Sequence, residues 1–322
     1  MDRGYTDMPL QRSPMTLLFC SGIDNADLWR EALHRRLPDV TLRVWPEVGD
    51  PDDIDMALVW QPPPGIFAGL ANLRLVMSLG AGVETLLADP SLPDVPLVRM
   101  VADSLSDDMA GFVALQVLRW HRHSDEFDAA QAAGVWRWLP YRPAREVTIG
   151  LLGLGELGRA AAVVLEALGY RVLGWSRSPK RLDGVECFAG PDGLEAMLPR
   201  CDQLVCLLPL TADTRGILNR RLFARLPAGA VLVNAGRGDH LVEADLLDAL
   251  DCGRLGGASL DVFSEEPLPA GHPFWRHPRI RVSPHSAAAT HPAQAVEQVA
   301  ATLAAFRDGR PLANRVERGR GY

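Results

Sequence analysis

The stretch Gly150-Leu151-Leu152-Gly153-Leu154-Gly155-Glu156-Leu157-Gly158 limits what this chain can fold into more than any other. Apolar Val147, Ile149, Leu151 and Leu152 lead into it, and an Ala-rich helical pattern follows from Arg159 to Leu168. A second apolar run spans Arg171 to Trp175. Strand, glycine turn, helix and strand make one βαβ unit of the kind that binds dinucleotides. Gly153 suits the tight turn, Gly155 admits backbone N–H groups to a pyrophosphate, and Gly158 lets the helix lie close on the sheet. The phosphates would sit at the helix N-terminus, where unpaired N–H groups and the helix dipole favour anions. A glycine-rich turn without a ligand fits a bare GxGxxG as well, but the strand and helix in register argue against it.

The rest of the chain alternates in the same way. Short apolar runs at Thr16–Ser21, Val40–Val44, Met56–Trp60 and Leu73–Leu79 predict strands, and Asp24–Leu37 predicts a helix with Leu28, Trp29, Leu33 and Leu37 near helical spacing. A long helix is expected over Asp103–His123, then a surface loop over Gln131–Arg145, which carries Trp136, Trp138, Pro140, Tyr141 and Pro143. Beyond it, six strands are expected at about 147–152, 171–175, 204–208, 230–234, 257–262 and 280–282. Helices at about 158–168, 193–198, 219–225 and 243–250 connect them. A last helix, Pro292–Arg307, would cross back to the first lobe. The predicted fold is α/β, with two doubly wound parallel-sheet domains. A Rossmann nucleotide-binding domain occupies 103–288, and a discontinuous flavodoxin-like substrate domain is assembled from 15–102 and 289–322. Met1–Pro14 is polar, lacks an apolar secretory core and reads as a disordered extension, with Met15 as an alternative start.

In a doubly wound sheet the chemistry collects at the C-terminal strand ends. The second nucleotide strand ends in Trp175-Ser176-Arg177-Ser178-Pro179-Lys180-Arg181. An NAD site usually places an acid here to accept from the ribose 2′-OH, and none is present. Arg177, flanked by the hydroxyls of Ser176 and Ser178, offers charge-assisted donors to a 2′-phosphate, so NADP(H) is expected over NAD(H), which remains possible. The next strand ends in Leu207-Leu208-Pro209, and its following Thr211 and Thr214 can cap the next segment. Then comes Asn234-Ala235-Gly236-Arg237-Gly238, where a guanidinium at the crevice edge can grip a carboxylate and polarise a carbonyl. The final two strand ends carry Asp261-Val262-Phe263-Ser264-Glu265-Glu266-Pro267 and Ser283-Pro284-His285. A carboxylate beside a histidine helps the imidazole hold a proton near neutral pH, which makes an acid/base pair. Any one of these residues alone would read as a surface salt bridge or a structural histidine. Arg, Glu and His at successive strand ends beside a dinucleotide fold are harder to explain that way.

Composition narrows the partners. A net charge of −7 offers no general basic surface for nucleic acid or an anionic membrane, and neither partner is expected. No apolar run reaches membrane-spanning length. The five cysteines are odd in number, lack CxxC spacing and sit mostly in apolar runs, which fits free thiols in a reducing cytoplasm. No metal-ligand cluster is evident among the eight histidines, and no metal is expected.

The ordered motifs GLGELG (153–158), LLPLTADT (207–214), NAGRG (234–238), DVFSEEPLP (261–269) and SPHSA (283–287), with SLGAGVE (78–84), resemble those of the D-isomer-specific 2-hydroxyacid dehydrogenase family. Within it the chain is most similar to the bacterial glyoxylate/hydroxypyruvate reductase A group, through ALVWQPP (57–63), WSRS (175–178) and the terminal Arg320-Gly321-Tyr322. The resemblance implies NADPH-dependent reduction of glyoxylate and hydroxypyruvate. Arg237 would bind and polarise the 2-oxo acid, His285 would donate the proton, and Glu266 would be its partner, with Glu265 the competing choice. The amides of Ala81 and Gly82 would hold the substrate carboxylate. Gly153, Gly155, Leu157, Gly158, Ser176, Arg177, Ser178, Leu208, Pro209, Thr214, Ala235 and Asp261 fall on cofactor positions. Relatives often carry a larger apolar residue in place of Ala235, which bears on the room near the nicotinamide. Trp45, Trp60 and Met109 are candidates for shaping the substrate space or for ordinary packing. A homodimer through the nucleotide domain is implied. The alternatives are a dehydrogenase of a larger 2-oxo acid, an NAD-linked formate-type reaction, and a catalytically silent dinucleotide sensor.

Overall fold

A computed structural model describes residues 15–319; the Met1–Pro14 extension and the Arg320–Tyr322 terminus lie outside the described residues. The chain divides into two compact units, one holding the chain up to Val101 and again from His291, the other Ala102–Thr290. The first unit contains strands β1 (Met15–Ser21), β2 (Val40–Val44), β3 (Ile54–Trp60), β4 (Leu75–Ser78) and β5 (Leu97–Val98), with helices α1 (Ala26–Arg36) and α2 (Glu84–Ala88). All pairings are parallel, in the order β2-β1-β3-β4-β5. That is the flavodoxin-type order. β1 and β3 are buried along most of their length because helices cover a parallel sheet on both faces. Asn25 starts α1 by accepting from the Asp27 and Leu28 amides, a cap worth about 1 kcal/mol. Trp29, Ala32 and Leu33 then form its inward face.

The second unit begins with α3 (Asp103–His121) and α4 (Ser124–Ala132) and continues β6 (Thr148–Leu152), α5 (Glu156–Ala167), β7 (Arg171–Ser176), β8 (Glu186–Ala189) and α6 (Gly190–Met197). It goes on through β9 (Gln203–Cys206), α7 (Arg220–Arg225), β10 (Ala230–Asn234), α8 (Glu243–Asp251), β11 (Leu255–Leu260) and β12 (Ile280–Val282). The sheet has seven strands, not the expected six, in the order β12-β11-β10-β9-β6-β7-β8, with every pair parallel. The extra strand, β8, is a four-residue edge strand with Glu186 exposed and its other three residues half-buried. The strand order reverses between β6 and β9, which is the switch point where such sheets bind ligands. Ile149 and Leu151 of β6 face one hydrophobic cluster with Ala161, Ala162 and Leu165 of α5, and Leu152 faces the other with Leu204 and Leu232. The region expected as one helix to His123 is two, because His123 takes a left-handed φ of 56° and separates α3 from α4. The expected surface loop therefore opens in the last turn of α4. The last helix, α9 (Pro292–Arg307), belongs to the first unit and packs on α1, with Arg36 Nε 3.0 Å from each carboxylate oxygen of Glu297.

Candidate active site

The glycine turn between β6 and α5 is shaped by two close approaches. Gly153 has φ +105°, and a Cβ there would meet the Leu207 carbonyl oxygen at 2.8 Å. A Cβ at Gly158 would stand 2.0 Å from the Gly153 oxygen, so α5 is pressed onto the turn itself. Gly155 is the N-cap of α5, makes no side-chain cap and has open space around its Cα, while Leu157 in the first turn is half-buried. The first N–H groups of a helix have no partner within it, so this end can accept a pyrophosphate. Lys180 Nζ donates to the Leu154 carbonyl at 2.9 Å and ties the chain after β7 to the turn, a contact the sequence did not point to. Ser176 ends β7 buried, with Oγ donating to the Ser178 carbonyl at 2.8 Å; Arg177 and Ser178 follow it exposed. These residues fit a dinucleotide: an open helix start at Gly155, and a cationic, hydroxyl-bearing end of β7 that carries no acid.

The loop after β9 is held by its own hydroxyl. Thr214 Oγ1 donates to the Pro209 carbonyl at 2.7 Å and accepts from the Thr211 amide at 2.8 Å, while Leu208 is buried. After β10, Ala235 is buried with Val205, Val233 and Ala287, so its small side chain is part of the hydrophobic cluster. Arg237 follows in extended conformation as the N-cap of a short turn, Gly238–His240. Asn234 Nδ2 donates to the Arg237 carbonyl at 3.0 Å, and the His240 Nδ1 accepts from its amide at 3.0 Å. The guanidinium Nη1 donates to the Gly236 carbonyl at 2.6 Å.

His285 and Glu266 stand on the loops after neighbouring strands β12 and β11. The His285 Nδ1 lies 2.7 Å from Glu266 Oε2, and their side chains are 27% and 26% exposed. Glu266 Oε1 accepts from the Phe263 amide at 2.9 Å, so both oxygens are assigned and the carboxylate cannot rotate freely. Glu265 is exposed and does not make this contact. Burial raises the Glu266 pKa, but the hydrogen bonds from His285 and the Phe263 amide and the charges of His285 and Arg237 outweigh it; the carboxyl is held below its ordinary value. Glu266 is therefore an anion facing the imidazole at neutral pH.

His285 has φ +51°, a left-handed conformation that costs a residue with a Cβ about 1–3 kcal/mol. Asp261 offsets that cost. It is 1% exposed, and its carbonyl accepts from the His285 amide at 2.8 Å. Its carboxylate accepts from Ser283 Oγ at 2.6 Å and from the amides of Ser286 at 3.0 Å and Ala287 at 2.9 Å. Asp261 is a cofactor position by the family resemblance, and its carboxylate builds the turn that presents His285. Gly238 is pressed on the Phe263–Ser264 peptide, where a Cβ would come within 1.8 Å of the Phe263 carbonyl carbon. The Arg237 turn and the segment holding Glu266 are therefore in backbone contact. Met109 is buried in the core of the second unit with Val113 and Val117 and acts in packing. Ala81 and Gly82 lie in the first unit, on the loop after β4, where Ser78 Oγ donates to the Gly82 carbonyl at 2.9 Å. Trp60 packs against that loop at Gly80, and Trp45 is partly exposed. Among the described residues, no group of three or more His, Cys, Asp or Glu side chains is arranged to hold a metal ion.

A doubly wound sheet with a glycine turn at its switch point, and a guanidinium and a carboxylate–imidazole pair at the neighbouring strand ends, defines a protein of the dinucleotide-binding class with an acid/base site. Residues 114–287 match the profile of the D-isomer specific 2-hydroxyacid dehydrogenase, NAD binding domain. Two curated relatives, glyoxylate/hydroxypyruvate reductase A from Salmonella typhi and from Serratia proteamaculans, are 43% and 44% identical over 314 residues, covering 96% of this chain and 100% of each relative. Among solved structures, a D-isomer specific 2-hydroxyacid dehydrogenase from Xanthobacter autotrophicus in complex with NADPH superposes with a TM-score of 0.92 at 42% identity, covering 96% of this chain and 100% of that one. An NADPH-dependent glyoxylate/hydroxypyruvate reductase from Sinorhizobium meliloti, bound to NADP and sulfate, gives 0.91 at 40% identity with the same coverage. The chain belongs to the D-isomer specific 2-hydroxyacid dehydrogenase family.

Proposed function

We propose that this protein reduces small 2-oxo acids with NADPH, taking glyoxylate to glycolate and hydroxypyruvate to D-glycerate. The observation that carries the reading is the 2.7 Å Glu266–His285 pair beside the Arg237 turn, in a chain 43% identical to a curated reductase of these acids. When bound, NADPH supplies the hydride. Arg237 grips the substrate carboxylate and draws charge from the 2-oxo group. As negative charge develops on the carbonyl oxygen, His285 gives it a proton. Its Nδ1 is committed to Glu266, so the proton leaves from Nε2. Glu266, held as an anion, stabilises the imidazolium before the transfer and keeps the ring in one orientation. Asp261 sets the turn on which that ring stands.

Arg177 and the hydroxyls beside it favour NADPH over NADH, since no acid occupies the end of β7. A homodimer through the second unit is supported by the segment after α4. It is tied at Pro140 and Arg142 by His123 and His121, and Arg122 lies over its Tyr141 ring, yet it leaves Trp136 100% and Trp138 79% exposed. The free cysteines support a cytoplasmic location, and the acidic balance speaks against a nucleic-acid or anionic-membrane partner. Among the described residues, no helix is long and apolar enough to cross a membrane. Oxidation of NADPH and NADH with a panel of 2-oxo acids tests the reading: glyoxylate and hydroxypyruvate with NADPH should give the highest kcat/KM. Preference for a branched or phosphorylated acid would move the substrate assignment, and no oxidation with any acid would overturn the enzyme reading.

A further inference from the structure

His240 is the last residue of the short turn that begins at Arg237, and it is completely buried. Its ring is bonded on two sides. The Nδ1 accepts from the Arg237 amide at 3.0 Å, and the Nε2 lies 3.3 Å from the Pro209 carbonyl. A peptide N–H can only donate and a carbonyl can only accept, so these partners select one tautomer, neutral with the proton on Nε2. Cys206 Sγ stands 3.7 Å from the same Nδ1. Burial pushes that thiol up to about 12, so it stays protonated and can only add a second weak donation to Nδ1. The backbone closes the arrangement: His240 N–H donates to the Arg237 carbonyl at 3.2 Å, and Leu218 N–H donates to the His240 carbonyl at 2.8 Å.

The two groups the ring joins belong to different strand ends. Arg237 follows β10, and Pro209 follows β9 in the loop that Thr214 also holds through the same carbonyl. A neutral imidazole presents an acceptor and a donor in fixed directions on opposite sides of one rigid ring, whereas the donor and acceptor of a side-chain amide sit together at the end of a rotatable chain. Space is tight as well: a Cβ on Gly236 would lie 2.9 Å from His240 Nδ1, so the ring lies directly under the arginine turn.

We propose that His240 is a positioning residue that fixes the backbone of the substrate-gripping arginine through Nδ1 and couples it to the cofactor-side loop at Pro209 through Nε2–H. The proposal rests on the reading of Arg237 as the 2-oxo acid ligand. Losing the Nδ1 acceptor would remove the ring's hold on the part-buried Arg237 amide and loosen the root of its side chain, which is felt first in substrate binding. Losing Nε2–H would leave the Pro209 carbonyl to Thr214 alone and uncouple its loop from the arginine turn, which is felt first in cofactor binding.

Three substitutions in the full chain separate these effects. His240→Asn keeps an acceptor where Nδ1 stands, His240→Gln keeps a polar group where Nε2 stands, and His240→Leu keeps bulk without polarity. The measurements are KM and kcat for glyoxylate, the NADPH Kd by fluorescence titration of the protein alone, and Tm. His240→Asn should keep the glyoxylate KM within about threefold and weaken NADPH, His240→Gln should raise the KM about tenfold or more and spare NADPH, and His240→Leu should lose both. A purely structural role would lower Tm in all three and shift both constants together. That parallel pattern overturns the proposal, as does wild-type KM and Kd in His240→Leu; should that variant fail to fold, the Asn–Gln contrast decides alone. A wild-type protein that reduces no 2-oxo acid overturns the reading of the site, and this proposal with it. An active wild type with parallel variants overturns only the role of His240.

Discussion

Replacing Glu266 by Gln changes one oxygen to an NH2 group at a place where both oxygens are committed. Oε1 accepts from the Phe263 amide at 2.9 Å and Oε2 faces His285 Nδ1 at 2.7 Å. The glutamine can keep its oxygen on Phe263 only by turning the NH2 toward His285, where it meets an imidazolium N–H donor to donor. It can favour His285 only by setting donor against donor at Phe263. Either way the charged bond to the imidazolium is lost. Charge-assisted hydrogen bonds contribute about 1.5–3 kcal/mol and neutral ones about 0.5–1.5, so the imidazolium loses about 1–2 kcal/mol of support. At 1.36 kcal/mol per pH unit, that moves the alkaline limb of the kcat/KM profile for reduction about one unit toward lower pH. The sign follows from the chemistry, because reduction consumes the protonated imidazole and activity falls as pH rises. On the stability side, the lowered Glu266 pKa means that the pair stabilises the fold above the unfolded carboxylate range, and that this is lost as pH falls through the lowered value. Steady-state NADPH oxidation with glyoxylate from pH 5.5 to 9, beside a Glu265→Gln control, reads the shift. An unmoved limb in the Glu266 variant, or an equal shift in the control, refutes the reasoning.

His285→Ala should lower kcat by about 10²–10⁴, the usual worth of a positioned general acid, while fluorescence titration shows NADPH binding retained; near-normal turnover would remove His285 from the proton step. Arg177→Ala should raise the NADPH Kd at least about tenfold and leave the NADH Kd within about twofold, and equal losses for the two cofactors would contradict a 2′-phosphate contact. If the proposed homodimer forms, Trp136→Ala combined with Trp138→Ala should convert it to a monomer in light scattering, since these exposed rings offer a large apolar area for association; a monomeric wild type would overturn the dimer, and an unchanged dimer mass would place the interface elsewhere.

Periodicity made much of this molecule legible. The Val40–Val44 strand, the Pro292–Arg307 helix and the glycine turn are local patterns, and the structure has elements at those places. The doubly wound parallel fold followed from strand–helix alternation, and the strand ends could be read as a row. What escaped lacks a local signal. β8 is four residues at the sheet edge, one exposed and three half-buried, and α4 is set apart from α3 by the backbone of His123. The parts of the site that escaped depend on partners far along the chain. Asp261 is a cofactor position by the family resemblance, and nothing local shows that its carboxylate is bonded to groups 22 to 26 positions later. His240 follows Arg237 by three residues, a spacing common to any turn, and its second partner is Pro209, 31 positions away. Apolar patterns reveal which faces are buried, but not which buried polar atoms meet.

Those long-range partners also make the three proposed site residues, Arg237, Glu266 and His285, depend on one another. Gly238 rests on the Phe263–Ser264 peptide, and the Phe263 amide is the donor that holds Glu266 Oε1. A side chain at 238 must therefore displace either the Arg237 turn or the peptide that orients Glu266, since the atoms a Cβ would meet at 1.8 to 2.3 Å are backbone. Gly238→Ala should thus damage substrate binding through Arg237 and the pH profile through Glu266 at once. Because part of its cost passes through Glu266, the same substitution should cost less in a Glu266→Gln background, with a coupling of about 0.5–3 kcal/mol in kcat/KM across the double-mutant cycle. Independent loops would give additive losses within about 0.5 kcal/mol, and that result would show that the contact at Gly238 positions only the arginine.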